Sequence, residues 1–395
     1  MTKTTRNPAL RKLALGLTIA AIGLTAGQSR AEELVIGIIN PMTGPGSDLG
    51  ISGQQAVDPL IEELNKAGGV KGMKLRVIYR DDQSNPQRGV AAALELIQRE
   101  KVDVIMGTNL THVAFAVSPV VNQAKIPFIV FGTGDPLIDI AKFPYSFRLN
   151  MTNGMEAATI VGYAVSVAKI KAPALLVDTT ALGQSGERAL IAAMAKHGLK
   201  PVARETFGMT DTDMTGQLIN IKKANADMLF VWGLGPVLAH AARSAERVGF
   251  NAPTIGGIGI HQEGFYKLAG PAGTKWSGSF FRSFTKDANG PEDPQVRKFI
   301  TKMESVYKDK MSASSMISGV WDDALRLLVD AVGRAKSKSG DDIKAALEAT
   351  NNFKGMMSTY TFSPTKHDGF EIKNVTLAYS MGAVNNIRIR IPNAP

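Results

Sequence analysis

From Glu32 onward, short apolar runs alternate with longer segments of helical period, the pattern of an α/β fold built on parallel strands. Residues 34–39 read as a first strand and 52–67 as a helix stopped by Gly68-Gly69. Residues 75–79 form a second strand, and Pro86, tolerated in a first helical turn, opens a helix through Arg99. A third strand at 104–106, a helix at 111–123 and a fourth strand at 128–130 complete the first array. The same grammar restarts after Asn150. Strands at 174–177, 202–206 and 228–231 alternate with helices at 185–197, 214–224 and 236–247. Two such arrays in tandem predict two lobes of like architecture. Residues 294–349 are mostly helical, with 339–342 as a cap before Ile343, and 360–362 and 375–379 are late strands. No low-complexity linker separates the arrays, so several chain crossings are expected to join them.

Ahead of Glu32 the pattern changes. Lys3, Arg6, Arg11 and Lys12 make a basic start, residues 13–26 are apolar apart from Thr18 and Thr25, and Ser29-Arg30-Ala31 puts small residues where a signal peptidase reads. Residues 1–31 are therefore expected to be a secretory signal peptide cleaved after Ala31, because the apolar run is shorter than the ~20 residues that span a bilayer. The chain has no cysteine, hence no thiol for a lipid anchor and no disulfide framework. A monomeric periplasmic protein is the expectation. The formal charge of +10 falls to +5 when the five basic residues of the signal are removed, since no acid leaves with them. That is a solubility charge and not a nucleic-acid footprint. The mature chain of about 360 residues exceeds the ~250–300 at which single cores stop growing, which again predicts two lobes.

Constellations for catalysis or metal binding are weak. His112, His197, His240, His261 and His367 are scattered and, without cysteine, have no diagnostic ligand spacing. Gly233-Leu234-Gly235 lacks the third glycine of a dinucleotide fingerprint, and in Gly183-Gln184-Ser185-Gly186 the second glycine comes one residue early for a nucleophile elbow. Asp81-Asp82, at a strand end before Asn85-Pro86, reads as a loop cap. No catalytic residue, cofactor or metal is assigned.

Binding chemistry is better represented. In doubly wound sheets ligands gather at the carboxyl ends of strands, and two loops at such ends are unusual here. Gly107-Thr108-Asn109-Leu110-Thr111-His112 is small and polar and runs directly into a helix, so its N–H groups, with Asn109 or Thr111 as cap, make a site for a carboxylate. Phe131-Gly132-Thr133-Gly134-Asp135-Pro136 has two glycines that let backbone approach a bound molecule, and Thr133 adds a hydroxyl. Both are equally readable as ordinary turns.

The chain resembles the leucine/isoleucine/valine-binding protein family, the type I periplasmic binding proteins that serve ABC importers, over nearly its whole mature length. The resemblance is carried by Ile36-Gly37-Ile38-Ile39-Asn40-Pro41-Met42-Thr43-Gly44-Pro45, by Asn65-Lys66-Ala67-Gly68-Gly69-Val70-Lys71-Gly72, and by Asp81-Asp82-Gln83-Ser84-Asn85-Pro86. The Gly107 and Gly132 loops, Phe147-Arg148, Thr210-Asp211-Thr212-Asp213, Arg247-Val248-Gly249-Phe250 and Trp321-Asp322-Asp323-Ala324 follow in order. It implies two Rossmann-like lobes with parallel sheets, joined by three crossings and closing on a small solute without catalysis. The expected lobes are 32–149 with 283–364, and 150–282 with 365–395. The implied partners are a small-molecule ligand and ABC permease subunits in the inner membrane.

The resemblance also shows where this chain departs from amino-acid binders. The family's carboxylate-holding serine and threonine match Thr111 and Gly134, so one hydroxyl is kept and one lost, with Thr133 as a substitute. Its ligand-facing tyrosine and ammonium-binding glutamate match Leu234 and Ile258, and aromatic cleft residues match Leu49 and Leu182. Burying an ammonium without a carboxylate partner costs several kcal/mol. The expected ligand is therefore a small organic acid with an aromatic body, held by Asn109, Thr111, His112, Gly132, Thr133 and Gly134 against Leu49, Leu182, Leu234 and Ile258. Trp232 and His261 are further candidates, and Asp135 would replace the missing carboxylate if it turned inward. A hydrophobic amino acid is the alternative ligand, and an exported sensor domain for a membrane kinase the alternative role.

Overall fold

The computed structural model describes residues 1–2, 32–312, 314–384 and 386–395; the expected signal cleavage point lies outside them. The chain first runs through β1 (Glu33–Asn40), α1 (Ser47–Lys66), β2 (Lys74–Asp81), α2 (Pro86–Gln98), β3 (Val104–Gly107), α3 (Thr111–Gln123), β4 (Phe128–Val130) and β5 (Ser146–Arg148). These strands form a parallel sheet in the order β2-β1-β3-β4-β5. Its inner strands β1, β3 and β4 are buried along nearly their whole length, as strands covered by helices on each side must be, while the edge strand β2 is only partly buried. Asn85 caps α2 by accepting from the Arg88 N–H, with Pro86 in the first turn. Asp81 and Asp82 organise loops. Asp81 accepts from Met42 N, Thr43 N and Gln83 N, and Asp82 from Ser84 N and the Thr108 hydroxyl.

The second array comprises α4 (Asn153–Ser166), β6 (Pro173–Asp178), α5 (Ala181–Ala195), β7 (Ala203–Phe207), α6 (Thr215–Lys223), β8 (Met228–Trp232), α7 (Gly235–Arg247), β9 (Thr254–Gly256), α8 (Glu263–Ala269) and β10 (Trp276–Phe281). After the short β11 (Thr285–Lys286), α9 (Pro294–Tyr307), α10 (Ser315–Arg334) and α11 (Gly340–Glu348) return to the first sheet, where α9 and α10 pack on α1. Ser339 caps α11 from the position expected for it, accepting from Asp342 N. The hairpin β12 (Phe353–Lys354) and β13 (Thr359–Tyr360) precedes β14 (Val375–Val384) and β15 (Ile387–Arg390). The second sheet has the order β11-β15-β14-β10-β9-β8-β6-β7. One of its cores is built with α4 and α5 (Ile160, Leu190) and another with α6, α7 and α8 (Leu218, Ala242, Phe265). The chain thus passes between the two sheets three times.

Several elements depart from the sequence expectation. The first helix starts five residues early, at Ser47, where Gly46 precedes it without a side-chain cap to announce the start. Helix α4, capped by Thr152, and strands β5, β9 and β10 lie where the hydrophobic pattern predicts no element. These strands are short or rich in small and polar residues, so their apolar runs stay below the length that signals a strand.

Candidate functional site

Strands of both sheets end on one cavity. The first sheet supplies Leu49 from α1, Asn109 beyond β3, Phe131 and Thr133 beyond β4, and Asn150 beyond β5, with Met316 and Ile317 from the start of α10. The second supplies Glu156 from α4, Leu182 from α5, Trp232, Gly233 and Leu234 at the end of β8, Gly257, Ile258 and Gly259 beyond β9, and Gln262. This is the place where open α/β sheets hold ligands. The cavity has about 530 Å³ of space free of atoms, counting the part that opens to solvent, a size that suits a compact solute.

The apolar wall is closely packed. Phe131 stacks on Trp321 with ring centroids 3.8 Å apart and planes 10° from parallel. Trp232 lies against Gly186 and Gly257, where a Cβ would come within 2.4 Å and 3.0 Å of its ring. A Cβ at Gly186 would overlap the indole, and one at Gly257 would press on its edge. Arg148, buried at the end of β5, donates to the carbonyls of Gly132 (3.4 Å) and Gly134 (2.8 Å) and pairs with Asp368 at 2.9 Å. It thereby holds the loop that presents Thr133.

The polar groups divide between spent and free. Asn109 donates to Asn40 Oδ1 and to the Leu49 carbonyl, and Asn150 donates to the Phe131 carbonyl and accepts from Met151 N. Gln262 Oε1 accepts from Gly235 N at 2.7 Å, which caps α7 and leaves its amide NH2 without a described partner. The Thr133 hydroxyl and the Trp232 indole N–H likewise have no described protein partner. Glu156 is the only ionisable side chain among the described lining residues. Its Oε2 accepts from Ile258 N at 2.7 Å and from the Ser279 hydroxyl, while Oε1 has no described partner. Burial pushes its carboxyl up to about 7, against the lowering effect of those two hydrogen bonds.

Of the residues expected to bind, the structure brings Leu49, Asn109, Thr133, Leu182, Trp232, Leu234 and Ile258 together around the cavity. It does not bring Thr111, His112, Gly132, Gly134, Asp135 or His261 to the lining. The cap of α3 is Leu110, not Asn109 or Thr111, and no side chain caps its first N–H groups. Thr111 is buried inside the first turn, where its hydroxyl accepts from Gly134 N at 3.3 Å. Gly132 and Gly134 are packing positions, since a Cβ on either would meet Thr111 atoms at 3.1 Å and 2.6 Å. Thr133, not Gly134, thus faces the cavity.

The remaining three are occupied elsewhere. His112 donates from Nε2 to the Ser84 carbonyl at 3.2 Å, and burial lowers its pKa. Asp135 is exposed and accepts from Gly154 N at 3.1 Å, where its charge complements the N-terminus of α4. His261 is fully buried against Phe280, with burial driving its pKa down to about 3. Sequence reasoning missed Glu156, Phe131, Asn150, Gln262, Met316 and Ile317. Glu156 had left a signal, a lone charge in the apolar stretch Met155-Glu156-Ala157-Ala158-Thr159-Ile160-Val161.

Residues 33–378 match the periplasmic binding protein family. The chain is 25% identical to Leu/Ile/Val-binding protein homolog 3 of Brucella melitensis over 354 residues, 88% of this chain and 93% of that one. Its fold is similar to that of a type 1 periplasmic binding protein from Bordetella pertussis Tohama I, with a TM-score of 0.81, 25% identity and coverage of 91% and 100% of the two chains. It is similar also to an ABC transporter solute-binding protein from R. palustris in complex with 4-hydroxybenzoate, with a TM-score of 0.79, 21% identity and coverage of 91% and 96%. With two doubly wound sheets, three crossings between them and a cavity at their strand ends, the chain belongs to the periplasmic binding protein family, and it is similar there to leucine/isoleucine/valine-binding protein homologues.

Proposed function

We propose that the chain is the periplasmic solute-binding component of a branched-chain amino-acid-type ABC importer, exported by residues 1–31, and that it binds a small organic acid with an aromatic body. Its lobes in this reading are 32–149 with 283–364 and 150–282 with 365–395, with β11 reaching across to the edge of the second sheet. The observation that carries the ligand class is the lining: Phe131, Trp232, Leu49, Leu182, Leu234 and Ile258 surround a space with no cationic side chain among the described lining residues. Such walls favour an apolar ring. The Thr133 hydroxyl, the Trp232 indole N–H and the Gln262 amide NH2, none with a described partner, supply donors for the carboxylate. The R. palustris fold neighbour holds 4-hydroxybenzoate, a ligand of this kind.

A hydrophobic amino acid is the second reading, favoured by Glu156, a buried carboxylate able to pair with an ammonium. A thermal-shift panel of aromatic acids, aliphatic acids and hydrophobic amino acids against the mature protein separates the two. A ligand at a hundredfold excess over its Kd should stabilise by ~2.7 kcal/mol. The aromatic acids are expected to give the largest shifts. Stabilisation by leucine or valine at micromolar concentration, with none by the acids, would replace the first reading by the second.

A further inference from the structure

Resting on the reading of the chain as a binder of small carboxylates, we propose that Glu156 is a specificity-determining residue that selects ligands bearing a hydrogen-bond donor opposite their carboxylate or beside it. The carboxylate stands in the cavity wall and is 1% exposed. Oε2 is saturated by Ile258 N and the Ser279 hydroxyl, two partners from separate elements that fix the orientation of the whole group. Oε1 has no described partner, and the other lining residues of the second sheet's side are apolar or glycine apart from Trp232 and Gln262. Gly257 keeps this arrangement possible, since a Cβ there would lie 3.0 Å from the Trp232 ring and 3.2 Å from Glu156 Oε2.

A buried carboxyl oxygen that faces a mostly apolar wall without a partner is penalised until a donor reaches it, so a ligand that lacks the donor binds worse than one that has it. Glu156 sits on α4 one turn beyond Asn153, whose N–H donates to the Thr133 carbonyl at 2.8 Å. The free hydroxyl of Thr133 and the free oxygen of Glu156 therefore belong to neighbouring parts of the cavity, one from each sheet. A ligand that meets both bridges the two halves of the molecule. The shared chemistry is a donor on an acid, and its two sources are a phenolic hydroxyl and an α-ammonium.

Calorimetry on the mature protein with benzoate, 4-hydroxybenzoate, 4-methylpentanoate and leucine tests the assignment. Each pair differs in the donor: the second of the first pair adds a hydroxyl, the second of the other an ammonium. The wild type is expected to favour the donor-bearing member of one pair at least tenfold, and Glu156→Leu to bring that ratio near one while still binding the donorless acid. In Glu156→Gln the amide oxygen stays with Ile258 N and the Ser279 hydroxyl and an NH2 donor takes the place of Oε1, so the preference is expected to be lost for either donor, and which of the two pairs shows it in the wild type tells a hydroxyl from an ammonium. A thermal melt of each variant confirms folding. Equal binding of both members of each pair, or a preference that survives in folded Glu156→Leu, overturns the role of Glu156 and leaves the acid reading standing. Binding of none of the four overturns both.

Discussion

Arg148 touches no ligand, yet its removal should reach the site. Its guanidinium is 1% exposed and holds the Gly132 and Gly134 carbonyls together with Asp368. Arg148→Met would leave three acceptors without their donor. Since the Asp368 side chain is about one quarter exposed, the loss should be about 2–4 kcal/mol, somewhat below that of a fully buried pair. Urea unfolding measures it, and calorimetry should show weaker binding as the Thr133 loop loosens. Glu156 makes a second prediction, on pH. Its folded pKa, about 7, is above the ordinary carboxylate value, so the folded state holds the proton more tightly than the unfolded one. Folding then takes up a proton between pH ~4.5 and ~7, and the group's contribution to stability falls as pH rises through that window. His261 acts in the opposite sense, its proton being excluded from the folded state, so the difference between variant and wild type is the cleaner measure. Glu156→Gln should gain on the wild type by on the order of 2 kcal/mol between pH 5 and pH 8 in thermal melts, beyond any constant offset. Neither role was legible from residue type alone. Arg148 was visible only as part of a resemblance, and Glu156 as a lone charge, because Asp368, 220 positions from Arg148, and Ile258 and Ser279, 102 and 123 positions from Glu156, help define them.

Periodicity and capping made many elements legible. Helix α3 runs from Thr111 to Gln123 as its pattern indicates, and Ser339 caps α11. Ser339→Ala should cost ~1 kcal/mol, read as a lowered Tm. What periodicity does not report is what a helix face meets. Gly186 in α5 is an example, since in an isolated helix Ala there would gain up to ~1 kcal/mol. In the folded protein the added Cβ falls 2.4 Å from the Trp232 ring. Gly186→Ala is therefore expected to destabilise by about 1–3 kcal/mol through overpacking, and to weaken ligand binding as the indole is pushed toward the cavity. Tryptophan fluorescence and calorimetry check the two effects. Helix α4 escaped notice for a related reason: its residues are nearly all apolar or small, and a helix buried on most sides has no polar face to give it a period.

On the scale of the whole molecule, the two halves are clamped outside the cavity as well as across it. Asp48 at the start of α1 accepts from Glu263 N at the start of α8 and from the Ser314 hydroxyl, both at 3.1 Å. Asp48→Ala should weaken ligand binding by about 1–2 kcal/mol without changing any lining residue, because contacts that exist only when the halves are together would be lost. Small-angle scattering should show a smaller radius of gyration with ligand than without, and a smaller change in the variant. By itself the sequence determined the alternation of strands and helices, the two arrays and hence the doubly wound architecture. These follow from local periodicity, turn chemistry and the rule that a chain this long splits its core. The strand-end rule pointed to the loops that carry Asn109 and Thr133, whereas the cavity's apolar residues Leu49, Leu182, Leu234 and Ile258 came only from the resemblance to a known family. Only the tertiary structure decided which polar side chains turn inward. Asn109 and Thr133 face the cavity while Thr111, Gly134 and Asp135 do not, and Glu156 enters from a helix that no local pattern announced. The physical reason is that a side chain's direction at a loop or helix start is set by the hydrogen bonds it finds across the fold, and those partners come from distant parts of the chain.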